Sequence, residues 1–275
     1  MKNWIVRSLT GIVYIAVIVG GIYLGNWWYL AMTLILALPA IMEFKRMTVK
    51  GRESNLNTLI DLLGAAFLLF CCSLPIRLIY LPFYAIYFIA RLISQIYTRD
   101  ENPVASLVSS FAAHAYIAFP IALMQGILAL GHEVVLLEMF VLIWLSDTGA
   151  FIVGSLLGRH KLFPRLSPKK SWEGFFGGVI FCVGAAIAMH CLLNQSLHFT
   201  DSGLLIMIGL GIIVPVFATW GDLVESMIKR AVGVKDSGSI LPGHGGMLDR
   251  IDSLLLVAPA TFIYLIFILF SITNI

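Results

Sequence analysis

Nine apolar stretches, each close to the length that crosses a bilayer, constrain this 275-residue chain more than any other feature. A membrane-spanning helix needs roughly 20 mainly apolar residues. Only 12% of the residues are charged, too few to cover a soluble core, so lipid must be the solvent. We predict an all-α, polytopic membrane protein with about nine transmembrane helices. The expected spans are 5–25, 27–43, 58–74, 78–95, 104–128, 133–157, 172–193, 203–220 and 253–272.

The basic residues predict how these helices are oriented. Lysine and arginine are enriched in cytoplasmic loops. A cytoplasmic N-terminus and an exterior C-terminus put all 18 basic residues except Arg77 on the cytoplasmic side, with Lys45 and Arg91 counted at the ends of the second and fourth spans. A wrong helix count would scatter these residues over both sides, so their distribution favours nine spans.

The N-terminal sequence is expected to be a membrane helix and not a cleaved leader. The apolar stretch that reaches Leu24 is too long for a signal peptide, and no small-residue cleavage site follows it. The short N-terminus without a transit-like extension favours the inner (cytoplasmic) membrane of a bacterium over an organelle.

Two loops expected on the cytoplasmic face hold most of the polar residues. Loop 158–174 reads GRHKLFPRLSPKKSWEG, and loop 220–252 reads WGDLVESMIKRAVGVKDSGSILPGHGGMLDRID.

Acidic residues in the second loop suggest a metal site. Asp222 ends the eighth predicted helix, and Asp249 directly precedes the ninth. Magnesium takes oxygen ligands, commonly one or two carboxylates with phosphates and water. These two acids are the first candidates, and Glu225, Asp236 and Asp252 are the others. The alternative, that each is an ordinary interfacial charge, is weakened by their concentration beside lysines and glycines.

Glycines and basic residues in the same loops suggest an anionic substrate. Glycine lets backbone N–H groups approach an anion closely, and His244 is surrounded by more glycines than a turn needs. Phosphates are natural partners of the basic residues, although positive-inside topology alone accounts for many of them. The chain has no GxxxxGK[ST] pattern, so a P-loop is not supported.

Asp147 lies inside the sixth predicted helix, in the sequence WLSDTGAF. An ionisable group at membrane depth is costly, and it is often functional. Small neighbours such as Ser146 and Gly149 would let a second helix or a wet cavity approach. The alternative is a structural hydrogen bond between helices. Glu138, near the outer end of the same helix, is expected at the membrane interface.

Residues 226–252 resemble the signature of the phosphatidate cytidylyltransferase (CDP-diacylglycerol synthase) family. The positions that carry the resemblance are Ser226, Lys229-Arg230, Lys235-Asp236, Pro242, His244-Gly245-Gly246, Asp249-Arg250 and Asp252. The segments 146–151 and 167–174 resemble the family's other polar stretches. The first 130 residues match only as a variable hydrophobic half. The resemblance therefore implies that residues 1–130 are variable N-terminal transmembrane helices. It implies that residues 131–275 are the catalytic transmembrane region, with cytoplasmic loops 158–174 and 220–252, within one integrated membrane domain.

The resemblance implies transfer of the cytidylyl group of CTP to phosphatidate, giving CDP-diacylglycerol and pyrophosphate. It implies magnesium at Asp222 and Asp249, a place for a second monovalent or divalent cation, a lipid bilayer setting, a homodimer and no nucleic acid. The expected catalytic residues are Asp222, Asp249, Lys170, Lys229, Arg230 and Lys235. The expected substrate-binding residues are Lys169, Ser226, Asp236, His244, Gly245, Gly246, Arg250, Asp252 and Asp147, the last of them orienting a cationic or polar partner.

Two other functions remain open at the level of sequence. A CTP-dependent membrane lipid-alcohol kinase would also use metal and CTP, but it would transfer the γ-phosphate. An ion-coupled transporter would use Asp147 and the glycine-interrupted helices as an ion pathway. Against a transporter, the polar residues concentrate in a cytoplasmic loop, and no inverted halves are visible.

Overall fold

A computed structural model of the chain describes residues 2–49, 51–74, 81–197, 201–240 and 245–273. These residues form helices and one short β-hairpin. The helices are α1 (Lys2–Leu24), α2 (Asn26–Thr48), α3 (Asn55–Ser73), α4 (Ala85–Tyr97), α5 (Pro103–Ala113), α6 (Phe119–Ala129), α7 (Glu133–Leu157), α8 (Trp172–Leu197), α9 (Asp201–Val232), α10 (Leu248–Ile251) and α11 (Leu254–Thr273). A π-helical turn, His114–Ala118, joins α5 to α6. The hairpin strands are β1 (Lys161–Phe163) and β2 (Ser167–Ser171).

Seven helical segments of the described chain are long and apolar enough to cross a membrane. They are Asn26–Thr48, Asn55–Ser73, Pro103–Ala129, Glu133–Leu157, Trp172–Leu192, Gly203–Val232 and Leu248–Phe270. The predicted helical, polytopic membrane architecture is therefore confirmed, with the hairpin as an addition. The apolar part of α1 (Gly11–Leu24) is shorter, and α4 has only 13 residues. The count of nine spans and the sides on which the termini lie stay predictions.

The chain forms two compact units, and each unit is built from two separate stretches of the sequence. The first unit comprises Met1–Glu133 and Lys229–Ile251, and the second comprises Val134–Ile228 and Asp252–Ile275. Residues 229–251, which hold much of the recognised signature, therefore group with the N-terminal helices. The division at residue 130 that the sequence suggests stays a prediction.

Helix α2 is the centre of the first unit. It packs against α1, α3, α5 and the short α10. Large side chains such as Tyr29, Met32 and Ile41 are fully buried along it. Because α2 touches α10, a helix of the supposedly variable half contacts the end of the signature segment.

Helix α4 differs from a lipid-spanning helix in where its polar residues point. Its buried positions are Tyr87, Arg91, Ser94 and Gln95, which share one face at helical spacing. Its exposed face is apolar and includes Ile89. The apolar residues of α4 predict the span 78–95, whereas its few polar residues face the rest of the first unit.

The polar face of α4 completes a buried ion-pair cluster in the first unit. Asp61 of α3 pairs with Lys45 of α2 and lies 3.2 Å from Arg91 Nε. Glu53 lies 2.9 Å from Lys45 Nζ, and Ser110 donates a hydrogen bond to Asp61 at 2.7 Å. Lys45 and Arg91 are 2% and 0% exposed. Both are among the basic residues that predict the cytoplasmic side of the membrane. Their positions therefore reflect ion pairing inside the protein as well as membrane topology.

Small residues bring α7, α8 and α9 together in the second unit. A Cβ atom on Gly178 of α8 would lie 3.0 Å from the Ser146 carbonyl of α7, and one on Gly211 of α9 would lie 3.0 Å from the backbone of α8. Such contacts allow close helix packing in membranes. Glu138 of α7 is 0% exposed and so is buried within the protein, while its expected position near the membrane interface stays a prediction.

Replacing Arg91 with alanine should destabilise the protein strongly. The change leaves the buried carboxylate of Asp61 with one cation fewer, and breaking a buried pair costs about 3–5 kcal/mol. The measurement is the unfolding midpoint of the full chain in detergent. Arg99→Ala, at an exposed position just beyond the same helix, is the matched control and should leave the midpoint unchanged. Equal midpoints for both variants would show that the cluster contributes little to stability.

Candidate active site

The first polar loop is a β-hairpin that presents two lysines. Strand β1 pairs antiparallel with β2, with Lys161 opposite Ser171. Glu173, in the first turn of α8, closes the hairpin because it accepts hydrogen bonds from the backbone N–H of Arg159 at 3.1 Å and of His160 at 3.2 Å. The lysines expected to bind phosphate, at positions 169 and 170, therefore lie on β2, directly before a helix.

A cavity of about 380 Å³ opens beside this hairpin within the second unit. Its polar lining includes Asp147 of α7 and the two hairpin lysines. Its apolar lining includes Phe151, Leu162 and Phe175. Asp147 thus lines a cavity that has cationic and apolar walls, the arrangement that a lipid phosphate requires.

Three carboxylates come together next to one of these lysines. One oxygen each of Asp222, Glu225 and Asp252 lies within 4.8 Å of the others. Asp222 and Glu225 share a face of α9 at i and i+3, while Asp252 lies in the turn before α11. Lys170 forms an ion pair with Asp222. Three carboxylates this close together offer the oxygen ligands that a divalent cation takes.

Gly221 lets this turn approach helix α9. A Cβ atom at Gly221 would lie 2.7 Å from the carbonyl oxygen of Asp252 and 2.9 Å from the Cα of Ser253. Both distances are shorter than side chains tolerate. The acid cluster therefore requires glycine directly before Asp222.

Asp249 has a different environment, within the first unit. Its Oδ1 accepts a hydrogen bond from Lys229 Nζ at 2.8 Å, and its Oδ2 accepts one from the Gly246 backbone N–H at 2.9 Å. The Ser237 backbone N–H is 3.2 and 3.0 Å from the two oxygens. Gly245, with a φ of 82°, provides the backbone turn beside this carboxylate. These backbone N–H groups therefore donate to a carboxylate of the protein itself, that of Asp249.

Residues 5–268 match the cytidylyltransferase family. The chain belongs to this family. The phosphatidate cytidylyltransferase of Staphylococcus aureus (strain COL) is 47% identical over 133 residues, which are 48% of this chain and 48% of the relative. That of Staphylococcus epidermidis is 49% identical over 127 residues, 46% and 47% of the two chains. That of Staphylococcus haemolyticus is 50% identical over 133 residues, 48% of each. The chain thus spans about half the length of these relatives.

The match confirms the cytidylyltransferase family that residues 226–252 predict. The structure places the predicted site residues in different local environments. Asp147, Lys169 and Lys170 line the cavity. Ser226 Oγ lies 3.4 Å from Asp222 Oδ1. Four charged residues of the signature have exposed side chains: Arg230, Lys235, Asp236 and Arg250. His244 lies outside the described residues.

Sequence reasoning missed one residue of this region, Glu43 on α2. It is 2% exposed, and it accepts hydrogen bonds from Ser237 Oγ at 3.1 Å and from the Leu248 backbone N–H at 2.9 Å. A signal was present, because an acid inside an apolar helix is a functional candidate by default. Glu43 was overlooked since it lies in the half that the resemblance treats as variable.

Removing a carboxylate from the acid cluster should weaken divalent cation binding. Manganese is a suitable paramagnetic probe for a magnesium site, and its binding can be followed by electron paramagnetic resonance without turnover. Asp222→Asn and Asp252→Asn should each lower the affinity at least about 10-fold. The exposed Glu101→Gln should not change it. Wild-type affinity in both cluster variants would exclude the cluster as the cation site.

Proposed function

We propose that this chain transfers the cytidylyl group of CTP to phosphatidate, giving CDP-diacylglycerol and pyrophosphate for phospholipid biosynthesis. One observation carries the proposal. Lys170 lines the mixed polar and apolar cavity and is ion-paired with Asp222, a member of the acid cluster. One ion pair thus connects Lys170, the proposed phosphate-binding residue, to the acids proposed to bind metal. The staphylococcal relatives are named for the same activity.

In the proposed reaction, an oxygen of the phosphatidate phosphate attacks the α-phosphorus of CTP. The bond from that phosphorus to the bridging oxygen breaks, and its electron pair leaves with pyrophosphate. Phosphatidate is already ionised at neutral pH, so no strong general base is required. Phosphoryl chemistry of this kind depends mainly on positioning and charge stabilisation. Lys170, held by Asp222, and Lys169 supply fixed positive charge for the phosphates.

The residues proposed to hold magnesium are Asp222, Glu225 and Asp252. Their carboxylate oxygens are the type of ligand that this ion takes. When bound, the cation neutralises phosphate charge. Asp249, which the resemblance also implies as a ligand, stays a proposal, and in this arrangement its two oxygens already accept several N–H hydrogen bonds. A second, monovalent or divalent, cation is part of the same proposal.

The lipid substrate is proposed to enter the cavity from the bilayer. Phe151, Leu162 and Phe175 provide apolar surface for the glycerol end of the acyl chains, while the lysines meet the phosphate. Asp147 is proposed to orient a cationic or polar partner there. The signature residues Lys229, Arg230, Lys235 and Arg250 are proposed phosphate contacts, and Ser226, Asp236, His244, Gly245 and Gly246 are proposed to shape the substrate site.

The membrane setting of the proposal follows from the sequence. Nine spans, a cytoplasmic N-terminus and an exterior C-terminus would place both polar loops where CTP is found. The inner membrane of a bacterium and a homodimer complete the proposal, with CTP, phosphatidate and the bilayer as partners and no nucleic acid.

The reaction products test the function directly. Purified protein in detergent micelles with magnesium, phosphatidate and CTP should release pyrophosphate and incorporate the label of [α-³²P]CTP into lipid. Label from [γ-³²P]CTP should stay out of the lipid. Lipid that carries the γ-label, with release of CDP, would instead identify the lipid-alcohol kinase. Neither product, together with ion flux in proteoliposomes, would favour the transporter.

Lys170→Met should lower kcat by about 100- to 1,000-fold, because one fixed positive charge at the transferred phosphate is lost. Lys161→Met is the matched control, since this lysine belongs to the same hairpin but does not line the cavity. Initial rates of pyrophosphate release measure both. Equal rates for the two variants would remove Lys170 from the mechanism.

A further inference from the structure

Glu43 links the N-terminal helices to the signature segment. Its Oε2 atom accepts two hydrogen bonds, from Ser237 Oγ at 3.1 Å and from the backbone N–H of Leu248 at 2.9 Å. Ser237 precedes and Leu248 follows the sequence stretch 238–247, and they are 194 and 205 positions away from Glu43 in sequence. One carboxylate oxygen therefore holds both ends of the segment that leads to Asp249.

The hydrogen bonds continue from Glu43 to a signature ion pair. Ser237 Oγ, which donates to Glu43, accepts a hydrogen bond from the Asp249 backbone N–H at 3.3 Å. The Ser237 backbone N–H contacts both carboxylate oxygens of Asp249, and that carboxylate binds Lys229 at 2.8 Å. The contacts run from Glu43 through Ser237 and Asp249 to Lys229, all within the first unit.

Two glycines of the segment lie so close to the Glu43 carboxylate that a side chain would not fit. A Cβ atom on Gly238 would lie 2.7 Å from Glu43 Cδ, and one on Gly246 would lie 2.5 Å from Glu43 Oε2. Side chains at either position would displace the carboxylate. This close approach gives a second reason for the glycines of the signature, separate from contact with a substrate phosphate.

Glu43 is also distinct from the buried cluster on the same helix. Lys45, two residues further along α2, points about 200° away around the helix axis and pairs with Asp61. The hydrogen bonds of Glu43 go to the signature segment, while those of Lys45 go to α3 and the loop before it. The end of α2 thus carries two charged residues with separate partners. Lys45 binds the neighbouring membrane helix, and Glu43 binds the signature segment.

We propose that Glu43 is a positioning residue of the active site. It fixes Ser237 and the start of α10, so that Asp249 stays clamped and holds the Lys229 ammonium in place for a substrate phosphate. The proposal rests on the cytidylyl transfer proposed above, in which Lys229 contacts phosphate. Substrate is not expected to touch Glu43, which acts through Asp249.

Hydrogen–deuterium exchange tests the positioning without turnover. In Glu43→Ala, the amides of Ser237, Gly246 and Leu248 should exchange at least about 10-fold faster, while those of α3 keep their wild-type rates. Glu43→Gln keeps an acceptor oxygen and should retain most of the protection. Ser237→Ala, a milder change, should expose the same amides. Unchanged exchange of these amides in Glu43→Ala and Ser237→Ala would overturn the proposal.

Kinetics test whether the positioning serves catalysis. Glu43→Ala should lower kcat by about 10- to 100-fold, as for residues that orient an active-site group, and Glu43→Gln should restore most of it. Glu53→Gln removes a carboxylate that contacts Lys45 and Ser106. It is the control for lost stability and should keep kcat within about threefold of wild type. The Glu43→Ala and Ser237→Ala losses should be less than multiplicative when combined, because the two residues share a bond.

The outcomes separate this proposal from the proposed function. Absence of CDP-lipid from the wild-type protein would overturn the function, while the exchange data would still decide whether Glu43 orders the segment. Faster exchange in Glu43→Ala with wild-type kcat would overturn the catalytic role of Glu43 alone. A kcat for Glu53→Gln as low as that of Glu43→Ala would reduce the effect to general stability and also overturn it.

Discussion

A charge buried in a lipid-embedded chain must be matched within the protein, and this requirement organises the structure. An unpaired charge in an apolar medium is too costly to persist, so a buried acid that stays ionised has to find a cation or several N–H donors. Asp61 is matched by Lys45 and Arg91, and Asp249 by Lys229 and backbone N–H groups. These pairings decide which helices contact one another, because apolar side chains gain little by leaving lipid for each other.

The acid cluster differs from these pairs because three carboxylates come together in it. Asp222, Glu225 and Asp252 approach within 4.8 Å, while Lys170 pairs with Asp222. Carboxylates beside Lys170, a residue that lines the cavity, offer the oxygen ligands that a divalent cation takes. The described residues thus form two kinds of polar site. The cluster around Asp61 supports the fold, whereas the acid cluster and the Lys229–Asp249 pair belong to the proposed active site.

Much of the fold was predictable because hydrophobic length is a local property. Apolar runs located the seven segments that can span a membrane, and the wide polar loops appeared where the runs ended. The prediction was weakest at α4, where thirteen residues carry an apolar outer face and a polar inner one. The burial of Arg91 and Glu138 inside the protein was also not predicted. In both cases, side-chain burial depends on which helix face meets a neighbour, and no local pattern states that in lipid, where apolar residues also face outward.

The sequence alone determined the membrane class, the two polar loops and the family, since residues 226–252 carry a dense polar pattern that few functions share. It also named most of the acids and bases of the candidate site. Only the tertiary structure decided how they pair: Asp222 with Lys170, Asp249 with Lys229, and Glu43 with Ser237. The last contact joins residues 194 positions apart. Partners at such separations are set by helix packing and by the need to satisfy buried charge, which are properties of the assembled chain.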